Sequence, residues 1–187
     1  MVSDFAEYCS PMVTCAPKTK STTMKTLLTA AVSLLFLNSC VFESPFETEA
    51  KIPVETKLLG RWEEIPDKPD EKANQMLVIQ HSANEYVVEY PVGNEAMFFR
   101  AYAVELSGGK YIQIQLIGSA DKPVEIADRK YHLLKVSASG DFLEMRTIDE
   151  NVLGKDLTTT AQMKAAIAEH KDDQKLFADP GKFRRVK

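Results

Sequence analysis

Cysteine is scarce in this 187-residue chain and confined to its start: Cys9, Cys15 and Cys40 are the only three. Whatever folds after Cys40 therefore has neither a disulfide nor a thiolate metal site to hold it. Cys9-x5-Cys15 has no His or second Cys pair beside it, which makes a poor metal motif. No basic run occurs and the net charge is −4, so nucleic acid is not an expected partner. No apolar run reaches the roughly 20 residues of a membrane-spanning helix. Eight Gly and nine Pro exclude collagen-like or low-complexity architecture, and 44% hydrophobic with 27% charged residues is a globular composition. Also missing are Gly-x-Ser-x-Gly, His-Glu-x-x-His and a phosphate-cradling glycine loop. With no motif of catalysis, cofactor or metal binding, a non-enzymatic protein is expected.

What is present begins with an address. From Met24 the chain reads Met24-Lys25, an apolar run from Thr26 to Leu37, then Asn38-Ser39-Cys40. A positive start, a short apolar stretch and a small residue before the cut make a secretory signal peptide. Leu37-Asn38-Ser39-Cys40 resembles the lipobox of bacterial lipoproteins. That resemblance implies diacylation of the Cys40 sulfur by chains such as palmitate, cleavage before Cys40, and a membrane partner through this anchor. It also implies the cell envelope, with the outer membrane as default because Val41 stands where an inner-membrane retention Asp would be. Lipoprotein signals begin at the initiator Met, so residues 1–23 read as a start-site extension and 24–39 as the signal. Residues 40–57 read as an anchored tether: Val41–Glu55 carries two prolines and four glutamates without sustained period. Fifteen flexible residues span roughly 20 Å. The 148 residues from Cys40 on carry 20 basic and 25 acidic groups, so an anionic membrane surface gains nothing electrostatically.

Residues 58–187 read as a mainly β domain. Met76–His81, Glu85–Tyr90, Met97–Leu106, Tyr111–Ile117, Tyr131–Ser137 and Phe142–Ile148 are short, rich in β-branched and aromatic residues, and parted by turn signals. Consecutive antiparallel hairpins follow. Centring turns on Gly108-Gly109, Ser139-Gly140 and Ala83-Asn84 pairs Ala103 with Ile114, Leu134 with Met145, and Ile79 with Val88 on one inner face. Tyr102, Val104, Tyr131, Leu133 and Ile148 then face outward as a candidate protein-contact surface. Thr159-x-x-Gln162 reads as a capping box, opening a helix to about Lys171 with Met163 and Ile167 on its apolar side. Phe183–Val186 suits a final strand.

Leu59-Gly60-Arg61-Trp62-Glu63 at the start of this meander resembles the Gly-x-Trp opening of lipocalin-like proteins. The resemblance implies an up-and-down barrel or half-barrel, with Trp62 closing one end and Arg184 or Arg185 from the last strand across its ring. Such a barrel has room for side chains or one small ligand. The small Ala101 and Ala103 suggest a cavity for an apolar or amphipathic molecule, lined by Tyr86, Val88, Phe99, Ala101, Ala103, Ile112, Ile114, Leu116, His132, Leu134 and Met145. The same alanines equally suit close packing of the helix, which leaves a structural or protein-interaction module with a filled core. His132 serves as a ligand contact or a core histidine; His81 and His170 look peripheral. Asp67–Lys72 lacks the ligand alternation of a calcium loop and Asp172-Asp173 reads as a helix exit. Ser107-Gly108-Gly109-Lys110-Tyr111 faintly resembles the Ser-Gly-x-x-Tyr loop of envelope lysozyme inhibitors.

Overall fold

Period-two alternation of apolar and polar side chains makes each strand a two-faced ribbon that must bury one face. A computed structural model shows how this chain does so; it describes residues 42–187 except Pro69, Ala127, Asp128, Lys155, Asp156 and Asp179. The lipobox, Cys40 and the preceding segments lie outside the described residues. Eight strands are seen among those described: β1 (Gly60–Glu64), β2 (Gln75–Gln80), β3 (Tyr86–Tyr90), β4 (Met97–Leu106), β5 (Gly109–Ser119), β6 (Tyr131–Ser139), β7 (Phe142–Thr147) and β8 (Gly181–Arg185). Each pairs antiparallel with the next, and β8 returns to β1 through Trp62 with Arg185 and Glu64 with Phe183. The result is a closed, up-and-down barrel, as expected of the β domain.

Register departs from expectation in two ways. The β4–β5 turn is Ser107-Gly108, both residues at positive φ (52° and 79°), so Ala103 faces Ile112 and Ala101 faces Ile114. At β6–β7, Val136 faces Met145 and Leu134 faces Thr147. Each turn centre lies one residue from the expected place, which slides the pairing by two and leaves the faces unchanged. At β2–β3 the loop is one residue longer, since the His81 N–H donates to the Glu85 carbonyl across Ser82–Asn84. Val78 therefore faces Val88, and Ile79 faces Val87. A one-residue slip turns every side chain over. Met76 and Val78 point inward, while Ile79, expected inside, is 48% exposed.

Outside the barrel lies a second apolar layer. Helix α2 (Thr160–His170) has the predicted capping box and buries Met163 and Ile167; a short α1 (Glu150–Leu153) precedes it. These helices cover the outer faces of β4, β5 and β6, so the expected contact surface does not exist. Tyr102, Val104, Leu133 and Ile148 are each 2% exposed or less, and Tyr131 packs against them half-buried. β4 is apolar on both faces from Ala101 to Val104 because both are buried there.

The expected tether is also overturned over its described part. Phe42 and Phe46 are buried in this outer layer and meet edge to face at 4.9 Å. Phe42 exchanges two 2.8 Å backbone hydrogen bonds with Tyr131, and Asn84 donates to the Ala50 carbonyl (2.9 Å). Fully buried Gln113 acts as an adaptor: its Oε1 accepts from the Phe46 and Glu47 N–H groups, and its Nε2 donates to the Glu47 carbonyl. Two aromatic anchors and these bonds outweigh the proline and charge content that suggested flexibility. Residues 42–55 run the length of the barrel as a strap.

Candidate functional site

The site is built from the strap inward. After a 3-10 turn at Thr56–Leu58 the chain enters β1 through Gly60, whose φ of 120° favours glycine. A Cβ at Gly60 would stand 2.8 Å from Nη1 of Arg185. That guanidinium lies 4.2 Å from the centre of the Trp62 ring and donates to the Leu59 and Lys57 carbonyls, both at 2.7 Å. Trp62 is fully buried and donates its indole N–H to the Leu58 carbonyl (3.0 Å). Gly60, Trp62 and Arg185 thus form one structural closure of the barrel end. Of the two arginines considered, Arg184 instead points outward to Glu63 (2.6 Å).

Above this closure lies an apolar cavity of about 60 Å³. Eight of the expected lining residues meet there: Tyr86, Val88, Phe99, Ala101, Ile112, Ile114, Leu134 and Met145. Ala103, Leu116 and His132 do not line it. Ala103 is buried elsewhere, Leu116 packs half-buried in the inner cluster, and His132 stands beside Ile114 in the β5–β6 ladder. Leu58, Met76, Val78, Tyr90, Val136 and Leu143 complete the wall. Met76 and Val78 escaped sequence reasoning through the misplaced β2–β3 turn, and Leu58 because nothing in its neighbourhood marks a strap crossing a barrel end. The helix packs on Tyr102 and Val104, so Ala101 does not serve to seat it.

The wall's titratable groups are phenols. Burial, with the neighbouring Glu64 carboxylate, pushes the Tyr90 hydroxyl up to about 12. Burial likewise raises that of Tyr86, which accepts a hydrogen bond from the Glu55 N–H (2.7 Å). Burial lowers His132 from 6.5 to about 4, so its imidazole is neutral at ordinary pH.

β5 and β6 run to Gly109 and Ser139 at this end of the barrel but pair only from Ile112 to Gln115 with Leu134 to Tyr131. Beyond Ile112 the strands part, and a groove of about 220 Å³ opens between Lys110–Ile112, Val136–Ala138, Glu55 at the end of the strap, and Lys57 and Leu58 of the turn after it. Leu58, Ile112 and Val136 line both groove and cavity. At its mouth Glu55 holds Lys110 (2.5 Å) and Lys57 (2.9 Å). Hydrogen bonds from Lys110 first and Lys57 second hold this carboxyl below its usual range. Lys110 was legible in principle, since it shares the inward parity of Ile112 and Ile114.

Among the described residues no three His, Cys, Asp or Glu side chains converge as a metal site, and no helix is long and apolar enough to cross a membrane. Fold and cavity together define a closed eight-stranded antiparallel barrel of lipocalin-like architecture with an apolar interior. Comparison with protein-family models, curated proteins and solved structures gives no match.

Proposed function

We propose that this chain is an envelope-anchored, non-enzymatic lipoprotein whose barrel binds the apolar part of a small amphipathic molecule. The observation that carries this reading is the wholly apolar cavity inside the barrel with a groove opening beside it. Lined by aliphatic side chains and phenols held protonated, it offers no general base and no nucleophile ready at neutral pH. The space is under half of the roughly 150 Å³ that admits benzene in an engineered core. Binding therefore requires the walls to give, and the unbranched Met76 and Met145 are the side chains best suited to do so.

The anchor proposal rests on Leu37-Asn38-Ser39-Cys40, with the outer membrane as its default site. Cys40 is two residues from Phe42, so chain geometry alone keeps its Cα within about 7 Å of the Phe42 Cα. Because Phe42 is docked on Tyr131, the barrel then stands directly on the bilayer and not about 20 Å off it. Changing Cys40 to Ser tests the anchor: loss of acyl labelling and release from the membrane fraction are expected, and retention without label sinks it.

A second reading, an interaction module with a filled core, is favoured by the small cavity. Its contact surface moves to the outer side of β7 and β8, where Phe142 is 62% exposed beside Ile65. Native mass spectrometry of the exported protein, incubated with a fatty-acid and lipid mixture, separates the two. A stoichiometric adduct of a few hundred daltons supports the carrier, and a bare mass supports the module.

A further inference from the structure

We propose that the gap between β5 and β6 is the route into the barrel, and that Lys57 and Lys110 at its mouth receive the carboxylate of a single-chain amphiphile. This deepens the carrier reading and rests on it. Three observations meet here. The β5–β6 seam is unpaired where the groove lies, so a chain passing through breaks no ladder hydrogen bond. Leu58, Ile112 and Val136 belong to both groove and cavity, which makes a continuous apolar path from the mouth to the interior. The cavity is too narrow for two chains.

The mouth supplies the head-group chemistry. Two ammonium groups converge there on a single carboxylate, that of Glu55. Glu105 faces Lys110 across the β4–β5 turn but is exposed and forms no part of the groove wall. Glu55 occupies the position of a ligand carboxylate. Each ammonium carries three donors, so an incoming carboxylate gains bonds that Glu55 leaves unused, whereas a cationic head would set a third positive charge beside two. Glu55 sits at the groove's edge with about a third of its side chain exposed, so it has solvent to swing into. The Glu55 N–H bond to Tyr86 is a main-chain contact and survives that rotation.

Isothermal titration of the exported protein with dodecanoate below its micellar concentration and dodecan-1-ol below its solubility limit tests this. Dodecanoate is expected to bind about tenfold more tightly, the size of one charge-assisted hydrogen bond. The Lys57→Gln/Lys110→Gln double variant should bring the two within about twofold by weakening only dodecanoate, and Glu55→Gln should tighten dodecanoate alone. Ala138→Trp fills the groove without lining the cavity and should abolish binding of both, with its thermal midpoint confirming the fold. Equal affinities in the unaltered protein, or a preference that survives the lysine substitutions, overturns the head-group site. Full binding by Ala138→Trp overturns the route. If neither probe binds the unaltered protein, the carrier reading itself fails.

Discussion

Arg185 serves three groups at once: the indole face of Trp62 and the carbonyls of Leu59 and Lys57. A cation over an indole is worth roughly 0.5–2 kcal/mol and each hydrogen bond about 1 kcal/mol. Arg185→Ala should therefore lower stability by about 2–3 kcal/mol, or about 5–10 °C in the unfolding midpoint. Arg185→Lys should recover little, because an ammonium cannot stack on the ring while donating to both carbonyls. Calorimetry of both variants checks this. His132 gives a second prediction. Its folded pKa of about 4 lies below the ordinary 6.5, so the unfolded chain takes up the proton first as pH falls. Stability contributed by the neutral imidazole is complete above pH 6.5 and lost progressively toward pH 4, by an upper limit on the order of 3 kcal/mol. Denaturant melts at pH 7 and pH 5 should show that slope in the native protein and a flatter one in His132→Leu.

The strap and helix α2 form one element pair, locked by polar contacts around an apolar layer. Gln113 holds Phe46 and Glu47, the Tyr102 hydroxyl donates to the Glu47 carbonyl (2.5 Å), the Thr160 hydroxyl donates to the Pro45 carbonyl (2.6 Å), and Lys164 pairs with Glu47 (2.5 Å). Gln113→Leu leaves the two strap N–H groups without their buried acceptor, at about 2–4 kcal/mol. Hydrogen exchange should show residues 42–50 losing protection while β4 to β7 keep theirs. If the whole barrel loses protection together, strap and barrel are one cooperative unit. In sequence the element order and nearly every strand boundary were legible, because period-two alternation and turn residues are local. The strap was not, since Phe42 and Phe46 have no partners within their own segment.

For the whole molecule, groove and docked strap end lie at opposite ends of the barrel. Tyr131 opens β6 and Ala138 nears its far end, seven residues on, which is about 23 Å at strand rise. If Cys40 carries the lipid, the groove opens away from that bilayer and takes its ligand from the aqueous compartment. The β5–β6 connection then faces the lipid, with Ile126 80% exposed. An environment-sensitive label on Ile126→Cys in vesicle-bound lipoprotein should be quenched by brominated acyl chains, and one on Asp141→Cys should not. Equal quenching at both sites overturns this orientation.

The sequence by itself determined the class of fold, the strand order, the inner parity of β4 to β7 and the capped helix. Each depends on side-chain period or on a turn within a few residues, so local chemistry suffices. The Gly60–Trp62 pair was visible too, but the choice of Arg185 over Arg184 needed the parity of β8 as it pairs with β1. Tertiary structure alone decided the face of β2, since one extra loop residue inverts a strand without altering its composition. It also decided that the outer face of β4 to β6 is a second core. Only a closed barrel with a helix and a strap laid against it reveals which apolar residues are covered. The cavity, the parted seam and the Glu55–Lys110 contact depend on residues 55 or more positions apart, such as Glu55 with Lys110 and Leu58 with Met145, and their meeting is fixed by closure of the barrel and not by any local pattern.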